Sequence, residues 1–347
     1  MRCLILLLLT LTTLACKNTS EKPWKSITNV EIETILEDST LSIRALEILD
    51  AKSLAFGSNK NRYGLYNMES DRWLISEQTF DSLNLEFRAI ANNTQDFFML
   101  SVGNPALLFK TSNLGTMELV YKEVHEKVFY DAMAFWNKQE GIAIGDTTDT
   151  CLSIIITRDG GNTWHKIPCM DLPKGLDGEG AFAASNTNIA IVGNNTWIAT
   201  TAGRVFMSPD KGFSWNVVQT PIINKKETEG IYSIAFYDEN NGFAIGGDYT
   251  NPENNTSNKI RTTDGGKTWQ LVAENKEPGY RSCVQYVANS AGKELLAVGF
   301  NGIDYSDDYG ITWKHLSDEG FYSVRFLNDS VAYSSGQGRI SKLLFKR

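Results

Sequence analysis

Arginine, tyrosine and carboxylate side chains recur at one equivalent position of a repeated pattern in this 347-residue chain. The motifs are Ile43-Arg44-Ala45-Leu46, Phe87-Arg88-Ala89-Ile90, Tyr130-Asp131-Ala132-Met133, Gly180-Ala181-Phe182, Tyr232-Ser233-Ile234, Arg281-Ser282-Cys283 and Tyr322-Ser323-Val324. Aligned on their apolar residues, they put Arg44, Arg88, Asp131, Gly180, Tyr232, Arg281 and Tyr322 at the start of seven short strands. If those strands close into a ring, the seven positions converge on one funnel mouth. Asp146, Asp149, Glu179, Asp248 and Asp304 are expected on the same face. Arginine suits carboxylate recognition, because its planar guanidinium donates two parallel hydrogen bonds. The expected use is binding of a protein or peptide through Arg44, Arg88, Asp131, Asp146, Tyr232, Asp248, Arg281 and Tyr322. The plainer alternative pairs the arginines with neighbouring acids, Arg88 with Asp131 for example, along a wet channel.

A second repeat supplies the elements that must position these residues. Thr157-Arg-Asp159-Gly-Gly-Asn-Thr163-Trp164, Ser208-Pro-Asp210-Lys-Gly-Phe-Ser214-Trp215, Thr262-Thr-Asp264-Gly-Gly-Lys-Thr268-Trp269 and Ser306-Asp-Asp308-Tyr-Gly-Ile-Thr312-Trp313 share one pattern. A period of this size marks a repeat architecture. Upstream, Phe135-Trp-Asn-Lys-Gln-Glu-Gly-Ile-Ala-Ile-Gly145 matches Phe236-Tyr-Asp-Glu-Asn-Asn-Gly-Phe-Ala-Ile-Gly246, and Ala184 to Gly193 is a looser copy. Each unit reads as strand, polar turn, strand, third strand, aspartate turn, and an outer strand opened by tryptophan. Trp24, Trp73, Met117, Trp164, Trp215, Trp269 and Trp313 mark seven outer strands, with Asn113 in the aspartate position of the second. The expected fold is all-β: a seven-bladed propeller of four-stranded blades, closed by the N-terminal strand around Trp24. Asp159, Asp210, Asp264 and Asp308 are expected to hold turn amides, and Trp164, Trp215, Trp269 and Trp313 to pack between sheets. Each turn offers one or two acids, too few for a calcium cage.

These turns resemble the Asp-box (BNR) repeats of sialidases. The fuller pattern, Phe-x-Asp-x-x-x-Gly-x-Ala-x-Gly followed by the Asp-box, is more similar to the Ycf48-like photosystem II assembly factors and their bacterial relatives. That resemblance covers nearly the whole mature chain and implies a non-enzymatic assembly or scaffold role. The sialidase resemblance implies an alternative, a hydrolase of acidic glycans. Arg44, Arg88 and Arg281 would then form a carboxylate-binding triad. Tyr322 or Tyr232 would be the nucleophile, Glu179 or Glu229 its partner, and Asp131 the acid. The Phe-Arg-Ile-Pro motif of sialidases is absent, since neither Ala45-Leu46 nor Ala89-Ile90 brings the proline. Some relatives are labelled oxidoreductases. Here the glycine-rich Gly175 to Gly180 has no strand–turn–helix context for a dinucleotide. His125, His165 and His315 are too scattered for a metal site. No cofactor and no metal are expected.

Residues 1–15 read as a secretory signal, with Arg2 before an apolar run from Leu4 to Leu14 that is too short to span a bilayer. Thr13-Leu14-Ala15-Cys16 resembles a lipobox and implies lipidation of Cys16, residues 16–22 as a tether, and residues 23–347 as one propeller domain. The expected location is a bacterial cell envelope, on a membrane surface, with the protein a monomer. A net charge of −8 without a basic block excludes nucleic acid as a natural partner. In a hairpin centred on Gly160, Cys151 lies opposite Cys169, within disulfide reach. Cys283 reads as a small core residue.

Overall fold

Short apolar runs ended by glycine or by Asn/Asp turns become strands here, because alternate side chains can enter two different interfaces. In the third blade, Ala143 and Ile155 pack with Phe98 and Leu108 of the second, while Ile142 and Ile154 pack with Ile198 and Phe206 of the fourth. Burying one such isoleucine contributes about 1.5–3 kcal/mol. The computed structural model describes residues 25–112 and 115–347. The leader, Cys16, the tether, Trp24 and Asn113 lie outside the described residues.

Seven antiparallel sheets form the ring. Six are built of consecutive strands: Ala45–Asp50 to Arg72–Glu77, Phe87–Asn92 to Met117–Glu123, Tyr130–Phe135 to His165–Lys166, Ile189–Val192 to Asn216–Gln219, Glu229–Phe236 to Gln270–Leu271, and Cys283–Tyr286 to Lys314–Ser317. The seventh combines Ser323–Phe326, Val331–Lys346 and the N-terminal strand Asn29–Ser42. Val331–Lys346 doubles back at Gln337-Gly338: Gly338 has φ +72°, and Phe345 N–H returns to Ser330 O at 2.9 Å. That hairpin makes the blade four-stranded. The chain ends are therefore joined, as expected, but the closing strand runs from Asn29↔Lys346 to Ser42↔Gln337, beyond the region around Trp24.

The aspartate turns repeat one geometry. Asp159 Oδ1 accepts from Thr157 Oγ1 at 2.9 Å and Thr163 N at 2.9 Å, and Oδ2 from Thr163 Oγ1 at 2.7 Å. Asp210, Asp264 and Asp308 do the same with their own hydroxyl residues. Burial opposes ionisation of Asp159, and these hydrogen bonds outweigh it, holding the carboxyl below its usual range. Gly161, at φ +81°, lies against the preceding blade, where a Cβ would fall 2.2 Å from the Phe98 ring. Trp164 fills the gap beside Phe98 and Phe135. The turns tie each blade's outer edge to its neighbour.

Cys151 and Cys169 form a disulfide with Cα atoms 5.4 Å apart. The ladder Ile156↔His165 is offset by one residue from a hairpin centred on Gly160, and Cys169 opens a short 3-10 turn, Cys169–Asp171.

The fourth blade departs from the repeat. Ile189–Val192 is its innermost strand and turns at Gly193-Asn194, so the segment aligned as its second strand is its first. Gly180 does not start a strand. Residues 182–188 instead enter the axis and bond to the other blades. Asn186 Nδ2 donates to Ile90 O at 2.7 Å, and its Oδ1 accepts from Met133 N at 3.1 Å. Ser185 Oγ donates to Ser282 O at 2.8 Å, and Thr187 Oγ1 to Ser233 Oγ at 2.8 Å. Arg325 of the seventh blade donates to Ser185 O and Asn186 O at 3.2 Å each and lies 3.5 Å from Glu47 of the first. The axis is plugged. One cavity of about 440 Å³ lies on the mouth side, and another of about 380 Å³ on the far side, where Glu47, Gln285 and Arg325 contribute walls.

Arg325→Met should destabilise the protein by about 3–5 kcal/mol, because it strips donors from two buried carbonyls and leaves Glu47 unpaired. Urea denaturation measures this against Arg72→Met, an exposed change expected to stay within about 0.5 kcal/mol of wild type.

Candidate functional site

β-bulges aim the mouth residues. In the second blade the ladder steps from Phe87↔Ser101 to Ala89↔Leu100, leaving Arg88 as the extra residue. Asp131 in the third blade and Tyr232 in the fifth are skipped in the same way. A bulge re-aims one side chain without breaking the sheet. In the third and fifth blades a glycine in the second strand makes room for the bulge: a Cβ on Gly145 would lie 2.2 Å from Phe129 O, and one on Gly246 would lie 1.8 Å from Gly230 O.

Arg44, Arg88, Tyr232 and Tyr322 do meet, around the cavity of about 440 Å³. Phe182, Tyr249, Tyr280 and Phe300 complete its wall. Phe182 stacks on Tyr232 with centroids 3.7 Å apart, and Tyr280 sets its edge on Tyr232 at 4.8 Å. The Arg44 guanidinium lies 4.3 Å above the Tyr322 ring. Its Nε is buried with no hydrogen-bond partner. Burial, then the nearby Arg88 charge, lowers its pKa. Arg88 is neutralised by Glu86 at 2.7 Å rather than by Asp131.

Other expected site residues go elsewhere. Arg281 is buried and turned away: its Nε bonds Asp304 at 2.6 Å, and its Nη1 bonds Tyr280 O at 2.7 Å and Asn301 at 2.8 Å. Its neighbour Tyr280 takes the place in the cavity, so the sixth blade's alignment is shifted by one residue. Asp248 is a loop staple, accepting from Thr250 N at 2.9 Å and pairing with Lys226 at 3.1 Å. Burial opposes its ionisation, and the Thr250 and Lys226 contacts overcome that, depressing its pKa. Asp146 and Asp149 line a separate cavity with Lys127 and Lys174.

Of the parts named for glycoside hydrolysis, Arg44, Arg88 and both tyrosines share the cavity, but Arg281, Asp131 and the two glutamates do not line it. Tyr232 donates its hydroxyl to Thr228 O at 2.9 Å, and Tyr322 reaches Gln337 at 3.5 Å. Burial pushes Tyr232 up, away from the phenolate a nucleophile needs. Glu179 is held by Arg204 and by Thr200 at 2.8 Å, and Glu229 by the Lys225 amide at 2.7 Å. Among the described residues, no group of three or more His, Cys, Asp or Glu is placed to hold a metal ion.

Phe182 and Phe300 were not legible as site residues, because the first belongs to the axial excursion and the second to a strand-connecting turn. Tyr249 opens the long loop between Gly242–Asp248 and Lys259–Thr262 of the fifth blade, and the length of that loop is the signal the sequence offers. Arg325 carried no signal, since its role depends on carbonyls far away in sequence.

Asp131 is fully buried, with both carboxyl oxygens lacking a partner. Burial, then the adjacent Asp146, raises its pKa well above the aspartate range. The stability it contributes is present in acid and is lost as pH rises through the raised folded-state pKa. Asp131→Asn should therefore raise the melting temperature near pH 7 and leave it nearly unchanged near pH 3.5, as read by calorimetry at both pH values.

Residues 260–271 and 304–315 match the BNR/Asp-box repeat family. No curated protein matches the chain. The structure of YCF48 bound to a D1 peptide superimposes with TM-score 0.65 at 12% identity, covering 94% of this chain and 99% of that one. The RRP9 WD40 repeats give 0.63 at 11%, covering 92% and 98%. A GH74 xyloglucanase from Xanthomonas campestris gives 0.64 at 13%, covering 90% of this chain and 53% of the enzyme. These likenesses include a peptide-bound propeller and an enzyme, so they speak for the fold alone. The chain is a seven-bladed β-propeller carrying BNR/Asp-box repeats, with the fold found in Ycf48.

Proposed function

We propose that this protein is an exported binding or scaffold propeller that takes a protein or peptide at the arginine–aromatic cavity. One observation carries the reading: Arg44, held over Tyr322 with its Nε unpartnered, lies in an aromatic bowl. A largely desolvated guanidinium without a hydrogen-bonded carboxylate favours a ligand that brings one. The surrounding rings supply apolar area for the rest of the ligand at low entropic cost. YCF48, which shares the fold, has been solved with a peptide bound.

The test uses fluorescent peptides bearing aromatic and acidic residues, together with capture from solubilised envelope. Arg44→Ala should weaken peptide binding at least about tenfold, equivalent to about 1.4 kcal/mol, with the melting temperature nearly unchanged. Binding unaffected by Arg44→Ala and Arg88→Ala together would remove the cavity from consideration. Arg281 is unsuitable for this experiment, because its loss would strip buried Asp304 of its arginine and leave it only His315.

Envelope attachment through Cys16 forms part of the proposal. The Cys151–Cys169 disulfide supports it, since such bonds persist in oxidising compartments. Cys16→Ser should abolish incorporation of labelled palmitate and move the protein from the membrane fraction to the soluble one. Labelling that persists in the variant would refute lipidation at this residue.

A further inference from the structure

At the third blade the bulge presents a carboxyl where the first two blades present Arg44 and Arg88. That carboxyl is not spent on an ion pair. Arg88 binds Glu86 at 2.7 Å, and both Asp131 oxygens are buried without a hydrogen-bond partner. Beside it lies Asp146, which accepts the Ala181 N–H at 3.3 Å. The backbone closes tightly over this place: a Cβ on Gly180 would fall 1.7 Å from Asp146 Oδ1. Adjacent carboxyls, one of them fully buried, oppose each other's ionisation and titrate as a pair.

We propose that Asp131 and Asp146 hold two protons in mild acid and share one near neutrality, and that this charge step weakens anion binding at Arg44 and Arg88. The inference rests on the cavity reading above and adds its regulation. Burial places Asp146 at about 6, so the step falls between mild acid and neutrality. The new negative charge, shared across the pair, acts on Arg88 through Asp131, and Arg88 in turn acts on Arg44. A unit charge at such range through protein changes monoanion affinity by about three- to tenfold.

The other charged groups around the pair are accounted for. Ala181 offers only its backbone N–H, and Glu179 is locked to Arg204. Lys127, Asp149, Lys174 and Asp177 line, with Asp146, a cavity that neither Arg44 nor Arg88 lines. His315 also responds to pH, but it bonds Asp304 at 3.0 Å on an outer strand of the sixth blade. A step that arises there survives removal of the carboxyl pair.

Two measurements decide the matter. The first follows carbon-13 carboxyl shifts of the ligand-free protein against pH. Two coupled steps, with the Arg88 Nε–H resonance moving at the lower one, are expected. Independent titration of both carboxyls in the ordinary aspartate range would overturn the proposal. The second is calorimetric binding of N-acetyl-phenylalanine, an aromatic monoanion that stays ionised throughout, at about pH 5 and about pH 7.5. Wild type should bind about three- to tenfold more weakly at the higher pH. The Asp131→Asn/Asp146→Asn variant should bind equally at both, with the affinity of wild type in acid. The same pH dependence in both proteins would overturn the proposal. Absence of binding at either pH, in a protein that shows the coupled steps, would instead overturn the cavity reading and with it the affinity step.

Discussion

A ring of seven sheets leaves an axis that must be filled. Here the fourth blade fills the axis with its own backbone. Ser185, Asn186 and Thr187 reach the second, third, fifth and sixth blades, and Arg325 brings in the seventh and first. Buried carbonyls left without donors would each cost about 1–3 kcal/mol, so the plug and Arg325 need each other. This network separates two cavities and provides the floor residues Phe182 to Ala184 of the mouth.

The mouth then follows from local geometry. Bulges at Arg88, Asp131 and Tyr232 re-aim side chains that regular pleating would direct between blades. Gly145 and Gly246 allow the close backbone approach at the bulges of the third and fifth blades. Inner strands carry Arg88 and Tyr232, while Phe182, Tyr249 and Phe300 come from the axial excursion, a loop and a turn. Rigid presentation of aromatic rings and arginines is the arrangement that binding hot spots share.

Electrostatics distinguishes residues that motif reading treats alike. Arg44, Arg88 and Arg281 occupy equivalent sequence positions, yet one is unpartnered, one is neutralised at the surface of the cavity, and one is a buried strut. The carboxylates divide similarly. Asp159 and its three equivalents are held toward the ionised form by turn amides and hydroxyls, whereas burial pushes Asp131 toward the protonated form. The first group builds the fold, and the second leaves an unfilled requirement beside the candidate site.

The fold was legible in the sequence because each blade repeats a local solution: an aspartate that binds its own turn, a glycine at positive φ, and a tryptophan opening an outer strand. Such contacts span a few residues and leave a periodic trace. Ring closure was legible too, since an unpaired final blade demands a strand, although its register near Asn29 was not. What only the tertiary structure decided is where unlike blades meet. The excursion of residues 182–188, the exchange of Arg281 for Tyr280, and the pairing of Asp131 with Asp146 depend on neighbours from different blades. The physical reason is that a bulge or a one-residue shift changes which side chain faces the axis at almost no local cost, while the partner that rewards it lies far away in the chain.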